Sequence, residues 1–354
     1  MYTKNILFNF PKNLLYDFLV HKNNKMNDLR FLKAVDITPK DDAFHGNINL
    51  LDAEWWYFDA IFDNGYSIHI GIRTYHIRNF GIVQTRINVY KKGAVITEEL
   101  KTNFFSNFST SKEKPYARIN EDNILEFDEE FYKKTKQWKY KIKLKMNDAE
   151  IDLIFIGTSK GWKIETDDNS WVVPIPKAKV TGTVNFDGQI MNVKGVGYHD
   201  HNWDYTPKTA FKNIGWFWGR IMGDSLNLTW ANILHTNEFV DLIAVLNSDE
   251  TGDFYNISPE NFNFVYDNFE KTNKKLIPKI FKIKINDDNN KSNKILIDLD
   301  LETIGIQHTK IAVFNYWRYH IKTNGKMKIG SKSEYIKNKS QIIEFLCFKS
   351  RLSH

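Results

Sequence analysis

A chain of 354 residues, 42% hydrophobic and 15% aromatic with ten tryptophans and a net charge of +6, is long enough for two domains. It carries more ring surface than a plain core requires, which suits an apolar cavity lined by rings. Its lysines are scattered rather than blocked, so no nucleic-acid face is expected, and no run approaches the ~18 apolar residues of a membrane helix.

In chain order, helical spacing is confined to the first 35 residues. LLYDFLVHK places Leu14, Leu15, Phe18 and Leu19 on one face, as a short amphipathic helix that could pack against a barrel. Lys4, Asn9, Pro11, Lys12 and Asn13 interrupt the apolar positions, so no signal peptide is expected. From about residue 52 alternation dominates. EWWYFDA, at 54–60, puts Glu54, Trp56 and Phe58 on one side and Trp55, Tyr57 and Asp59 on the other, a strand shared between a core and a cavity. In YSIHIGIRTYHIR, Tyr66, Ile68, Ile70 and Ile72 oppose Ser67, His69, Gly71 and Arg73.

Further period-two runs lie at 138–145, 151–156, 178–184, 226–233, 239–246, 281–285 and 311–322. Turn signals stand at 63–65, 91–93, 186–188 and 323–325, and an Asn- and Lys-rich hairpin loop at 286–294. Many antiparallel strands with almost no helix after residue 35 predict an all-β architecture of barrels or sandwiches. The turn-rich segment 157–177, with Pro174 and Pro176, is the expected domain junction. This divides the chain into a helical extension (1–40) and two β-domains (41–177 and 178–354). Cys347, the one cysteine, rules out an intramolecular disulfide and a cysteine-based zinc site. It is expected to be a buried strand residue in a reducing, cytoplasmic protein, although an apolar substrate could bring the chain to a membrane surface.

Three stretches could carry chemistry. GVGYHDHNWDY, at 195–205, aligns His199 with His201 and sets Tyr198, Asp200 and Asn202 on the opposite side if extended. Two histidines on one side invite a metal, but the only further ligand marked locally is Asp204, whose side chain points elsewhere if the strand stays regular. The alternatives are a carboxylate and imidazole network holding a proton donor in an apolar site, or the same groups satisfying buried backbone with no substrate. In GWFWGRIMGDSLNLTWANILH, at 215–235, Trp216 and Trp218 share a face, Gly215 and Gly219 permit close backbone approach, and Trp230 shares a face with Asn232. If Trp203, Trp218 and Trp230 line one pocket, their rings could steady a carbocation, worth ~2 kcal/mol or more when desolvated. EWWYFDA adds Glu54 and Trp56 to that candidate set, and core packing would equally explain each ring.

EWWYFDA, WVVPIPKAKVTGTVNFDGQIMNVKGVGYHDHNWDY, GWFWGRI and GDSLNL, in that order over residues 45–235, resemble the lipocalin-like AttH and carotenoid 1,2-hydratase (hydroxyneurosporene synthase) superfamily. The resemblance implies two tandem lipocalin-like β-barrels with a cavity near their junction. It also implies cofactor-independent hydration or cyclisation of an isoprenoid or polyene. It matches His201 and Trp203 to the histidine and tryptophan beside the reacting double bond. Trp230 falls where the hydratases have a tyrosine, and Asn232 where they carry the aspartate taken as proton donor. An amide has no acidic proton to give, so either Asp200 supplies the acid, or the alignment slips, or this chain does not hydrate alkenes.

The expected catalytic set is therefore Asp200, His201, Trp203 and Asn232. The expected substrate-facing set is Glu54, Trp56, Tyr198, Trp216, Trp218 and Trp230, with no metal or cofactor. The competing readings are a lipid or isoprenoid carrier without catalysis, and a metal-dependent β-barrel enzyme using His199 and His201.

Overall fold

The computed structural model describes residues 29–46, 52–78, 80–165, 170–235, 240–272, 275–288, 293–310 and 314–348. They form a twelve-stranded and a ten-stranded sheet, each curled into a near-closed barrel. The first runs from Ala94–Phe104 through Phe80–Lys91, Tyr66–Ile77, Asp52–Phe62, Gln189–Tyr205 and Ser170–Phe186 to Phe108–Thr110. Neighbours along the centre of the second are Val240–Ser248, Leu226–His235, Asn213–Met222, Lys332–Phe348 and Phe314–Ile329.

Alternation decides which residues enter each barrel. Ile68, Ile70 and Ile72 point into the first, against Trp56, Phe58, Phe155 and Val180. Leu226, Leu228, Trp230, Phe217 and Phe345 point into the second. Both interiors are therefore filled with side chains, each fully buried Ile or Phe contributing roughly 1.5–3 kcal/mol before entropy is counted. Gly219 has one clear packing reason: a Cβ there would lie 2.4 Å from the Trp230 ring.

A third apolar cluster lies between the barrels. Tyr57, Trp171 and Tyr198 on the outer face of the first meet Trp218, Ala231, Ile233, Ile243 and Ile342 on the outer face of the second. Buried polar pairs cross the same seam, among them Arg220 with Asp59, Arg318 with Asp59 at 3.4 Å, Ser67 with His320 at 3.0 Å and Lys177 with Asp249 at 2.9 Å.

The expected turns at 91–93 and 186–188 form with positive φ at Lys92, Gly93, Asp187 and Gly188, which suits two-residue hairpins. Cys347 is buried in its strand, as expected. Other expectations are corrected. TNG at 323–325 is no turn: Phe314–Ile329 runs through it with a register shift, and a Cβ at Gly325 would lie 2.1 Å from the Asp298 carbonyl oxygen. Leu14, Leu15, Phe18 and Leu19 lie outside the described residues, while Leu29–Phe31, inside the expected helical extension, is a strand parallel to Val240–Ser248.

The boundary expected at residue 177 falls within the single strand Ser170–Phe186, and Gln189–Tyr205 also belongs to the first sheet. The chain changes sheet after Tyr205, through a short helix at Pro207–Lys212. A second short helix, Glu129–Thr135, is capped by the Asp128 side chain accepting from the Phe131 N–H at 2.9 Å.

Candidate active site

The strand Gln189–Tyr205 serves two compartments because successive side chains leave opposite faces of a sheet. His199 and His201 enter the first barrel. His199 Nδ1 donates to the Tyr57 carbonyl at 2.9 Å, its Nε2 lies 3.0 Å from Asp42 Oδ2, and its ring stacks on Phe58 at 3.8 Å. His201 Nε2 bonds Glu54 Oε1 at 2.9 Å, while Nδ1 sits 3.3 Å from Asp42 Oδ1, an ion-pair contact off the line of a hydrogen bond. Glu54 also accepts from the His45 and Gly46 N–H groups at 2.8 and 2.9 Å, tying that segment to the barrel wall.

Burial alone would push the Asp42 carboxyl up, yet the two imidazoles hold it at about 2. Burial would likewise discharge His201, but hydrogen bonding and attraction from Asp42 and Glu54 raise it to about 9. This is a network of carboxylates and imidazoles built into a wall. Trp203 stacks on His45 at 3.6 Å, and Trp56 stacks on His201 at 4.3 Å while donating to the Asp42 carbonyl.

The opposite face of the same strand borders a cavity of about 380 Å³ between the barrels. Cross-strand register builds its floor: Asn202, Trp55, Arg73 and Gln84 form one row, and Asp200, Tyr57, Gly71 and Arg86 the next. The second barrel supplies the roof, with Trp216, Leu346 and Tyr316 in one row and Ala231, Trp218 and Glu344 in another. Trp171 closes a side.

Asp200 is buried in this wall. Its Oδ2 accepts from Trp171 Nε1 and Tyr198 Oη, both at 2.9 Å, and its Oδ1 from Asn202 Nδ2 at 3.1 Å. Burial raises the carboxyl to about 8; the Trp171 and Tyr198 bonds only partly offset it, and the carboxylates of Glu344 and Asp59 add to the rise. Two donors converge on Oδ2, so the acid's own proton belongs on Oδ1. Burial pushes Glu344 up as well, against the pull of Arg318, which also contacts Tyr57.

Of the ten expected site residues, the cavity is lined by Asp200, Trp216, Trp218 and, at its edge, Trp56. Tyr198 stands behind Asp200 as a hydrogen-bond donor. His201, Glu54 and Trp203 belong to the barrel-wall network instead. Trp230 and Asn232 share the inner face of Leu226–His235, where Trp230 packs on Phe264 at 5.6 Å and Asn232 sits opposite Phe217. The amide at 232 is therefore remote in orientation from the cavity, and Trp203, Trp218 and Trp230 do not share a pocket. Both rings of the His199–His201 pair are committed to carboxylates, and among the described residues no group of three or more His, Cys, Asp or Glu could hold a metal ion.

Sequence reasoning missed Trp171, Tyr57, His69, Arg73 and Glu344 as cavity residues. A signal existed for Glu344, one charge within the apolar run QIIEFLCF. His69 and Arg73 stood on the polar side of an alternating strand, with nothing local to say what that side faces.

No protein-family model and no curated protein matches the chain. Solved structures share its fold. A candidate AttH from Nitrosomonas europaea superposes with a TM-score of 0.62 at 13% identity, covering 88% of this chain and 97% of that one. CghA with Sch210972 gives 0.60 at 10%, covering 84% and 88%. Kievitone hydratase from Nectria haematococca gives 0.58 at 10%, covering 88% and 93%. The chain thus shares the fold of these proteins, two tandem lipocalin-like barrels, the architecture its motifs resembled.

Proposed function

We propose that this protein adds water to, or cyclises, an unsaturated apolar molecule held between the barrels, with Asp200 as the acid. The observation that carries this reading is a buried carboxyl held at about 8 in the wall of an aromatic cavity. Such a group is protonated near neutral pH and has a proton to give, which an ionised aspartate does not. Transfer to an alkene carbon leaves a tertiary cation that the faces of Trp171, Trp216 and Trp218 would stabilise. Capture by water makes an alcohol, and capture by a second double bond makes a ring.

The cavity, at about 380 Å³, suits a drug-sized molecule or one end of a longer isoprenoid. The chemistry calls for no cofactor. That a protein named kievitone hydratase shares the fold supports a hydration reading.

The test is incubation with kievitone, farnesol or squalene in ¹⁸O-water, followed by mass spectrometry. The expected result is a labelled alcohol or an isomeric ring product from the wild type and neither from Asp200→Asn. Tight retention of unchanged ligand by both proteins would instead mark a carrier.

A further inference from the structure

Asp200 can deliver a proton, but a water molecule that captures the resulting cation must lose one, and a base has to stand where that water stands. The cavity holds one uncommitted imidazole. His69 lines it, its Nδ1 is buried with no hydrogen-bond partner, and no hydrogen bond of its ring is found among the described residues. Buried polar atoms of that kind are rare unless a ligand or water completes them.

Its position is set by register. His69 pairs with Asp59, Asp200 pairs with Tyr57, and the two strands flank Asp52–Phe62. The two residues are therefore separated by roughly 10 Å across the sheet and roughly 7 Å along it. The Tyr57 ring stands between them, 5.0 Å from the His69 ring. Gly71, in the Asp200 row, leaves the floor open: a Cβ there would meet nothing closer than His69 Nε2 at 3.8 Å.

We propose that His69 is the base that accepts the proton of the attacking water, completing with Asp200 an acid and base pair spaced along the cavity floor beneath the bound alkene. This rests on the hydration reading. The Asp200 O–H bond breaks as a C–H bond forms, and water then forms the C–O bond and gives a proton to His69. That leaves a carboxylate and an imidazolium, and return of the imidazolium proton to Asp200 through cavity water restores both. The sum is alkene plus water to alcohol.

The surroundings favour that return. His69 faces Arg73 on its own strand, Asp59 and Tyr57 on one neighbour, Arg86 and Asn88 on the other, and Arg318 across the seam with Glu344 beside it. Burial first, then the three guanidiniums, hold its imidazole well below the usual range. The resting pair is thus neutral acid and neutral base.

The experiment uses the labelled-water assay on the full chain with His69→Gln and His69→Ala, alongside binding of farnesol followed by tryptophan fluorescence. Both variants are expected to bind farnesol as the wild type does and to lose on the order of 10²-fold in turnover. Added imidazole is expected to restore the Ala variant, and the alkaline limb set by Asp200 should not move. Turnover of both variants within twofold of wild type, or a loss that imidazole does not relieve, overturns the assignment of His69 while leaving Asp200 as the acid. No labelled product from the wild type overturns the hydration reading, and the His69 assignment with it.

Discussion

Two aspartates at the same depth, Asp42 inside the first barrel and Asp200 in the wall between the barrels, end in opposite protonation states. Both are buried, and burial raises both. Asp42 has two imidazoles against it and falls to about 2; Asp200 has an indole, a phenol and an amide, with two carboxylates nearby, and rises to about 8. Depth sets the size of the desolvation cost, and the formal charge of the partner decides which way the group goes. One strand carries both arrangements: His199 and His201 serve the first, Tyr198, Asp200 and Asn202 the second.

Removing His201 should show the larger effect. His201→Ala leaves the buried carboxylates of Asp42 and Glu54 without their shared cation, a change of about 3–5 kcal/mol in urea unfolding at pH 7. Wild-type stability should also track this network. His201, raised to about 9, contributes stability that is present below the unfolded value near 6.5 and lost as pH rises through 9. Asp42, lowered to about 2, contributes stability present above about 4 and lost as pH falls through 2. Unfolding curves at pH 3, 6 and 10 check both limbs.

Asp200→Asn should act on turnover, with at least a 10²-fold loss, or ~2.7 kcal/mol in the barrier. Rotation of the Asn202 amide lets the new side chain keep its bonds. The stability effect has the opposite sign to that of His201→Ala. Between about 4 and about 8 the unfolded chain has ionised this aspartate and the folded chain has not, so its contribution declines as pH rises. The variant should therefore gain on the wild type across that window, as paired melts would show.

Asn232→Asp sharpens the comparison from the second barrel. It puts a carboxyl where the hydratase resemblance expects one, yet on an inward face. The expected outcome is no gain in turnover and a loss of ~1–3 kcal/mol by denaturant titration. Trp203→Phe, which trims the stack on His45, should cost only about 1 kcal/mol in the same measurement and leave turnover intact.

Period-two alternation made most of this legible. It separated Asp200 from His199 and His201, paired Trp216 with Trp218, and placed Asn232 on the Trp230 face before any strand was paired. Which outer face is covered was not legible, because the cavity is closed by strands far apart in the chain: Tyr57 meets Trp218 and Glu344, each more than a hundred residues away. The resemblance assigned reacting roles to His201 and Trp203, but both lie in the wall, His201 on Glu54 and Trp203 stacked on His45. Leu29–Phe31 is too short to show any period and is held by a parallel partner more than two hundred residues away.

The central claim is that Asp200 is a neutral acid facing the cavity at the pH where the protein works. Infrared difference spectra of wild type against Asp200→Asn measure this directly. A protonated-carboxyl band at pH 6 that disappears with a midpoint near 8 is the predicted result. A carboxylate signal already present at pH 6 would contradict it.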